Sequence, residues 1–477
     1  MKIVRTRFAP SPTGFMHLGG LRTALYAYLY AKHNDGDFIL RIEDTDRERY
    51  VEGALDVIYS SLLSSGLSYD EGPDVGGDYG PYTQSERKDI YIEYAKKLID
   101  LGGAYYCFCS KDRLESLTDE NGNRKYDKHC LKISREEAER RIANGESFVI
   151  RQNIPEEGTS SYEDLIYGTI EVDYADLEDN ILIKSDGMPT YNFANVVDDH
   201  LMKISHVIRG TEYLSSTPKY NLMYDAFGWE RPIYIHLPTI MKDATRKLSK
   251  RYGDANCDDF ISKGYIEEAI INYVALLGWC PKNNAEKMTV PEMIELFDLS
   301  GISKSPSIFD DVKLRWLNGE YLKVMDDEEF LIRATPFFEK SEVYKLYDIK
   351  KIAKIIKSRI EILSDIPEKV SFLVSRPDFS ESLYENKKQK TDSILAKQVL
   401  PEVLKTLEEI DCFTNNVLFE TLSKTAETLG VKSRQLFYVL RIALTGLEVT
   451  PGGATEILDI LGKEESINRV KSAIELL

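Results

Sequence analysis

Apolar and polar positions along this chain follow two different patterns. Near the N-terminus, residues 2–9 predict a buried strand. Leu18, Leu21, Leu25, Tyr28 and Leu29 then recur at helical spacing as far as His33. Asn34-Asp35-Gly36 predicts the stop of that helix. Phe38-Ile39-Leu40 predicts a second strand. Strand, helix, strand is the opening of a doubly wound α/β sheet, whose ligands gather at the carboxyl ends of the strands. The loop 10–17 and the segment Glu43-Asp44-Thr45-Asp46 both fall at such ends. From Asp326 onward the pattern is helical throughout, with polar turns such as Ser375-Arg376-Pro377-Asp378 and Thr450-Pro451-Gly452-Gly453. Neither period-two alternation nor a hairpin signal appears there. Ile352, Ile355 and Ile356 form the apolar stripe of one such helix. Lys350, Lys351, Lys354, Lys357 and Arg359 share its sequence, in a stretch without an acid.

Composition narrows the class. With 477 residues, 43% hydrophobic and 29% charged, the chain is of ordinary globular make-up and long enough for two to four domains. The N-terminal residues lack the apolar stretch of a signal peptide, and no run reaches the length of a membrane helix. Six cysteines in so long a chain do not suggest a disulfide framework. A cytoplasmic protein, expected to be a monomer, is the simple reading. The formal net charge of -18 argues against a generally basic nucleic-acid binder. A local basic face such as 350–359 still fits RNA on an otherwise acidic chain.

Three segments carry candidate chemistry. In Pro10-Ser11-Pro12-Thr13-Gly14-Phe15-Met16-His17-Leu18-Gly19-Gly20, a stiff loop delivers His17 to a helix N-terminus. Such a terminus offers partial positive charge to an anion, and His17 can donate to a phosphate oxygen. Gly19 and Gly20 let a base or ribose approach the backbone. The bland alternative makes His17 a helix cap. Lys247-Leu248-Ser249-Lys250-Arg251 is a basic loop in a polar stretch. Its cations suit a leaving group that gains negative charge in the transition state. Cys107, Cys109 and Cys130, with His129 adjoining, invite a zinc reading.

Taken together, these segments resemble the class I aminoacyl-tRNA synthetases. Residues 10–20 resemble the "HIGH" signature in the form of the glutamyl/glutaminyl subgroup, with Gly20 in place of the second histidine. Arg41-Ile42-Glu43-Asp44-Thr45-Asp46 is similar to the next signature, and Lys247–Arg251 to "KMSKS". The likeness continues through 80–87, 191–200 and 440–446, so it spans essentially the whole chain. Within the family it is greatest for the bacterial-type glutamyl enzymes. The resemblance implies a Rossmann-type catalytic domain (1–100 and 188–240) with an inserted acceptor-end binding domain (101–187). A stem-contact region (241–325) and an all-α anticodon-binding region of two subdomains (326–477) follow. Helices in that last region favour the glutamyl enzymes, since glutaminyl relatives carry a β-barrel there.

The implied activity is ATP-dependent ligation of L-glutamate to tRNA(Glu) through glutamyl-adenylate, with Mg²⁺ accompanying ATP. The resemblance puts Arg7, Tyr191 and Arg209 at the side-chain carboxylate of glutamate, and Asn195 among the glutamate-binding residues. It puts Glu43, Ser11 and the backbone of Ala9 at the α-ammonium. His17, Gly19, Glu212, Ile240 and Lys250 fall to ATP, with Lys247 as a helper of Lys250, and Arg359, Arg441 and Thr450 to the anticodon. No general base is required, because the substrate carboxylate is the nucleophile. Zinc-binding relatives have a histidine two residues after the third cysteine. Lys132 stands there in this chain, so zinc is not expected. The alternatives are an enzyme that also charges tRNA(Gln), and a catalytically silent tRNA-binding paralogue.

Overall fold

The computed structural model describes residues 3–14, 16–46, 51–117, 125–248 and 257–477. The chain divides into two compact units, one of residues 1–260 and 270–310, the other of 261–269 and 311–477.

The first unit holds every described strand. β1 (Arg5–Phe8) is followed by the helix Leu18–His33, with Asn34 at its C-cap, and by β2 (Asp37–Leu40). β1 and β2 pair in parallel, in register from Arg5–Asp37 to Phe8–Leu40. Leu18, Leu21, Leu25, Tyr28 and Leu29 are all buried, as their spacing predicts. β3 (Ala104–Cys107), β4 (Val149–Gln152) and β7 (Ile181–Ile183) make an antiparallel sheet in the order β3-β4-β7. β5 (Thr159–Asp164) and β6 (Gly168–Asp173) form a hairpin. β8 (His206–Gly210) and β9 (Ile233–Leu237) pair in parallel. β1 lies beside β8, where the Ser205 N–H donates to the Arg5 carbonyl at 3.0 Å. The parallel strands thus bring their carboxyl ends, residues 8–11, 40–43 and 209–212, to one place. A last short parallel pair joins β10 (Ile240–Met241) to β11 (Ser307–Ile308).

Residues 101–187 are not a self-contained insertion. The sheet order β6-β5-β9-β8 draws the hairpin into the same sheet as β8 and β9. β5 meets β9 in parallel at Asp164–Tyr234. That single register point places Asp164 next to the strands that build the site.

The second unit is helical, from Asp311–Val324 to Ala454–Leu476. The helix Asp311–Val324, within the expected stem-contact region, packs with this unit. One continuous apolar cluster, including Phe338, Ile356, Leu400, Leu440 and Ile457, runs through it, so the two expected subdomains share a core. Ile352, Ile355 and Ile356 are buried in it. The basic helix Ile349–Ile356 finds acids from elsewhere in the chain: Lys351 pairs with Asp459 at 2.8 Å, and Lys357 with Asp327.

Candidate active site

A cavity of about 540 Å³ opens at the carboxyl ends of β1, β2, β8 and β9. Its lining includes Arg7, Ala9, Ser11, His17, Gly19, Glu43, Tyr191, Arg209, Glu212 and Ile240. These are ten of the residues that the sequence pattern selects, from segments some 200 positions apart. Asn195 is not among the lining residues. It is buried one turn beyond Tyr191 and donates from Nδ2 to the Tyr191 carbonyl at 2.8 Å. Lys247 is exposed and bridges to Met241, while the next residue, Leu248, lines the cavity. Lys250 lies outside the described residues.

His17 combines its two readings. It is the N-cap of the helix Leu18–His33, and its Nδ1 accepts from the Gly20 N–H at 3.0 Å. A neutral ring then carries its proton on Nε2. Gly19 packs closely under this ring: a Cβ there would stand 3.0 Å from the imidazole, so the ring would have to shift. Further along the rim, the Glu212 carboxylate folds back over Gly210, in the space a Cβ would need.

One wall of the cavity is a network of buried charges. Arg7 grips Asp199 with two bonds, from Nε at 3.0 Å and Nη2 at 3.3 Å. Arg41 donates to Asp199 at 2.7 Å and to Glu43 at 3.2 Å. Asp198, behind them, accepts from Arg87 at 2.7 Å, Tyr91 at 2.8 Å and Gln84 at 2.9 Å. Burial opposes the charge on Arg41, but Asp199, Asp198 and Glu43 hold it firmly ionised. Burial pushes the Glu43 carboxyl up to about 7, against the pull of Arg41 and Arg7.

The lining also carries Arg209, at the end of β8. Its Nε donates to His236 Nε2 at 3.1 Å and its Nη2 to Thr217 Oγ1 at 2.6 Å. The rings of Tyr220, Tyr213 and Tyr234 stand 4.9, 5.1 and 5.5 Å from the guanidinium carbon. Among the described residues no carboxylate lies within ion-pair distance of Arg209, and Glu212 does not neutralise it. A buried cation without a counter-charge is costly. It suits a site that waits for an anionic ligand.

The sequence reading missed Arg22, Asp199 and His236. Arg22 lies in the helix Leu18–His33, lines the cavity, and donates to the carbonyls of Pro238 and, at 3.0 Å, Leu277. Its signal was an arginine inside an apolar stripe. For His236 it was a single histidine in the apolar strand Ile233–Leu237.

Away from the cavity, β3 and the segment 126–130 bring three thiols together. The Sγ atoms of Cys107, Cys109 and Cys130 all lie within 4.8 Å of one another. Tyr126 Oη stands 3.3 Å from Cys107 Sγ and 3.5 Å from Cys109 Sγ. Arg151 and Arg113 donate to Cys107 and Cys109 at 3.3 and 3.4 Å. His129 and Lys132 are not part of the group.

In the second unit, Arg441 is half-buried, with its Nε unpartnered and one Nη donating to the Glu448 carbonyl at 3.3 Å. Burial and the nearby Arg359 both lower its pKa. Arg359 is exposed. Thr450 is buried and donates to the Gly452 carbonyl at 2.7 Å.

Comparison with known proteins agrees with this geometry. Residues 3–316 match the catalytic domain of the class I tRNA synthetases (E and Q), and residues 329–474 match an anticodon binding domain. The chain is 55% identical to a glutamate–tRNA ligase of Clostridium botulinum Eklund 17B, over all of this chain and 99% of that one. It is equally identical to the ligase of Clostridium kluyveri, with the same coverage. Among solved structures it is similar to a glutamate tRNA ligase from Elizabethkingia meningosepticum in complex with its amino acid. There the TM-score is 0.87 at 36% identity, and both chains are fully covered. The chain belongs to the class I tRNA synthetases, in their glutamate–tRNA ligase family.

Proposed function

We propose that this enzyme activates L-glutamate with ATP and transfers it to tRNA(Glu). The observation that carries the reading is Arg209: a buried guanidinium, without a carboxylate at ion-pair distance among the described residues, lining the same cavity as Glu43. An acidic side chain supplies the missing charge. Neutral glutamine would leave Arg209 underpaired, which costs affinity. Glu43 attracts the α-ammonium at the other end, with Ser11 and the Ala9 backbone beside it. Tyr191 closes the side-chain end, and Arg7, whose Nε edge is spent on Asp199, adds its remaining edge. Asn195 acts through Tyr191.

The α-carboxylate of glutamate attacks the α-phosphorus of ATP. The bond to pyrophosphate breaks, and the electron pair leaves with it. His17 Nε2–H and the helix N-terminus face the phosphates, while Glu212, Ile240 and Gly19 border the nucleoside. Lys250, assisted by Lys247, stabilises the charge gathering on pyrophosphate. Mg²⁺ accompanying ATP would neutralise part of the phosphate charge. A hydroxyl of the terminal tRNA adenosine, the 2′-hydroxyl by analogy with class I, then attacks the glutamyl carbonyl carbon, and AMP leaves. Arg441, Arg359 and Thr450 read the anticodon, and Arg359 favours tRNA(Glu) over tRNA(Gln).

Charging assays with glutamate and glutamine, on tRNA(Glu) and tRNA(Gln) transcripts, test this. Glutamate on tRNA(Glu) is the expected product; glutamine used as well as glutamate overturns the role of Arg209. Equal rates on the two transcripts overturn that of Arg359. Lys250→Ala loses about 2.7–4 kcal/mol of transition-state stabilisation, and an indifferent variant removes Lys250 from the mechanism.

A second reading concerns the thiol cluster. Four donors around zinc at a metal–sulfur distance of about 2.3 Å stand about 3.8 Å apart. The three thiols lie within 4.8 Å of one another, Tyr126 Oη stands 3.3 and 3.5 Å from two of them, and Arg151 and Arg113 aim hydrogen bonds at two of the sulfurs, as partners of thiolates do. Tyr126 supplies the donor that Lys132 cannot. Zinc held there clips β3 to residues 126–130. One zinc per chain by elemental analysis is expected, and a metal-free, fully active enzyme overturns the assignment.

A further inference from the structure

Arg209 does not orient itself. Its Nε donates to His236 Nε2, so that nitrogen must be an acceptor, and a neutral imidazole then carries its proton on Nδ1. Asp164 Oδ2 receives that proton at 2.7 Å and the His236 backbone N–H at 3.0 Å. Asp164 Oδ1 receives the backbone N–H groups of Ile166 and Tyr167, each at 2.9 Å. The side chains of Asp164 and His236 have no exposure at all. Thr217 Oγ1, the other acceptor for Arg209, passes its own proton to the Tyr213 carbonyl at 2.8 Å. The protons between Asp164, His236 and Arg209 therefore have one direction, set by the end of β5, while the Tyr213 carbonyl sets that of Thr217.

Resting on the assignment of the cavity to L-glutamate, we propose that Asp164 and His236 are positioning residues for substrate selection. Together they fix the guanidinium of Arg209 so that its uncommitted N–H groups face the side-chain carboxylate. The hairpin β5–β6, which lies within the segment between the two halves of the nucleotide-binding fold, thereby helps set which amino acid is chosen. Burial, the main cause, lowers the pKa of His236, which keeps the ring neutral and its Nε2 an acceptor.

The chemistry predicts an asymmetry between conservative variants. Asp164→Asn places an N–H₂ group against His236, which drives the ring proton to Nε2 and confronts Arg209 with a donor. His236→Leu removes the acceptor. His236→Gln can return an amide oxygen to the position of Nε2. In charging assays with the full-length enzyme, Asp164→Asn and His236→Leu are expected to raise KM for glutamate by about tenfold or more, the scale of one charge-assisted hydrogen bond. The glutamate-over-glutamine ratio of kcat/KM should fall by a similar factor. KM values for ATP and tRNA should hold, and His236→Gln should recover most of the loss. Nitrogen-15 NMR of histidine-labelled wild type should show the Nδ1–H tautomer at His236.

Parallel rises in KM for glutamate and ATP would make the pair merely structural and overturn the proposal. So would an unchanged KM for glutamate in His236→Leu, or an Nε2–H tautomer in the wild type. Should a leucine or asparagine variant fail to fold, His236→Gln and the tautomer measurement still decide. A wild-type enzyme that does not charge glutamate would instead sink the assignment of the cavity itself.

Discussion

Arg7 and Arg209 line one cavity from the neighbouring strands β1 and β8 and are buried alike, with 4% and 5% of their surfaces exposed. Arg7 stands in a closed account of charge, gripping Asp199, which also holds Arg41. Arg209 has a histidine, a threonine and three aromatic rings around it and, among the described residues, no carboxylate at ion-pair distance. Buried ion pairs carry a large desolvation cost and do little net work for stability, but breaking one leaves an uncompensated charge. The charges around Arg7 are therefore paired before any ligand arrives, which leaves only the remaining edge of Arg7 and the Glu43 carboxyl to meet a substrate. The Arg209 wall is recognition, held in deficit until a ligand completes it.

The sharpest way to break this contrast is to remove a charge from each wall. Asp199→Ala strands Arg7 and Arg41 and should cost about 3–5 kcal/mol of unfolding free energy in urea. Arg209→Met should do the reverse: stability unchanged or raised, with kcat/KM for glutamate down by about 2–5 kcal/mol of transition-state binding. If Arg209→Met unfolds as readily as Asp199→Ala, the two walls do not differ in kind.

Titration sharpens the contrast further. Glu43 belongs to the paired wall, yet burial lifts it to about 7. The ammonium of the substrate needs the carboxylate form. Below that pH Glu43 is protonated, so KM for glutamate should rise about tenfold per unit as pH falls from 7 to 5, and level off above 8. Glu43→Gln should flatten the profile at a high KM, and a wild-type profile without this inflection would remove Glu43 from ammonium binding. The smallest effect is expected at Thr217→Val. Losing one acceptor of Arg209 should raise KM for glutamate by about 1.5 kcal/mol, roughly tenfold, without a matching change in the Asp199 network. A larger effect on melting than on KM would place Thr217 with the architecture instead.

What the sequence could reveal follows the same division. The helix Leu18–His33, its cap and its stop were legible because they depend on neighbours in the chain. The cavity residues were legible because the motifs that carry the family resemblance contain or flank them. The partners were not. Nothing near Arg7 in sequence announces Asp199, 192 positions away, and nothing near Arg209 announces the Asp164 behind its histidine. The acid-free run of lysines at 350–357 met acids from distant segments in the same way. Tyr126 escaped because metal patterns are read in cysteines and histidines, and a phenol among aromatics looks like core. Long-range pairing of charge is decided by packing, which no local spacing records.

The bond between Ser205 and Arg5 spans 200 residues, and it closes the seam along which the cavity forms. In polymer terms, the site is the knot at the neck of a very large loop. Closure entropy grows only as the logarithm of loop length, so doubling the chain inside it would add about 0.6 kcal/mol. Residues between the two halves can therefore lengthen, shorten or be exchanged at almost no thermodynamic cost to the cavity. The strand that ends in Asp164 is an exception, a place where that loop is threaded back through its own neck.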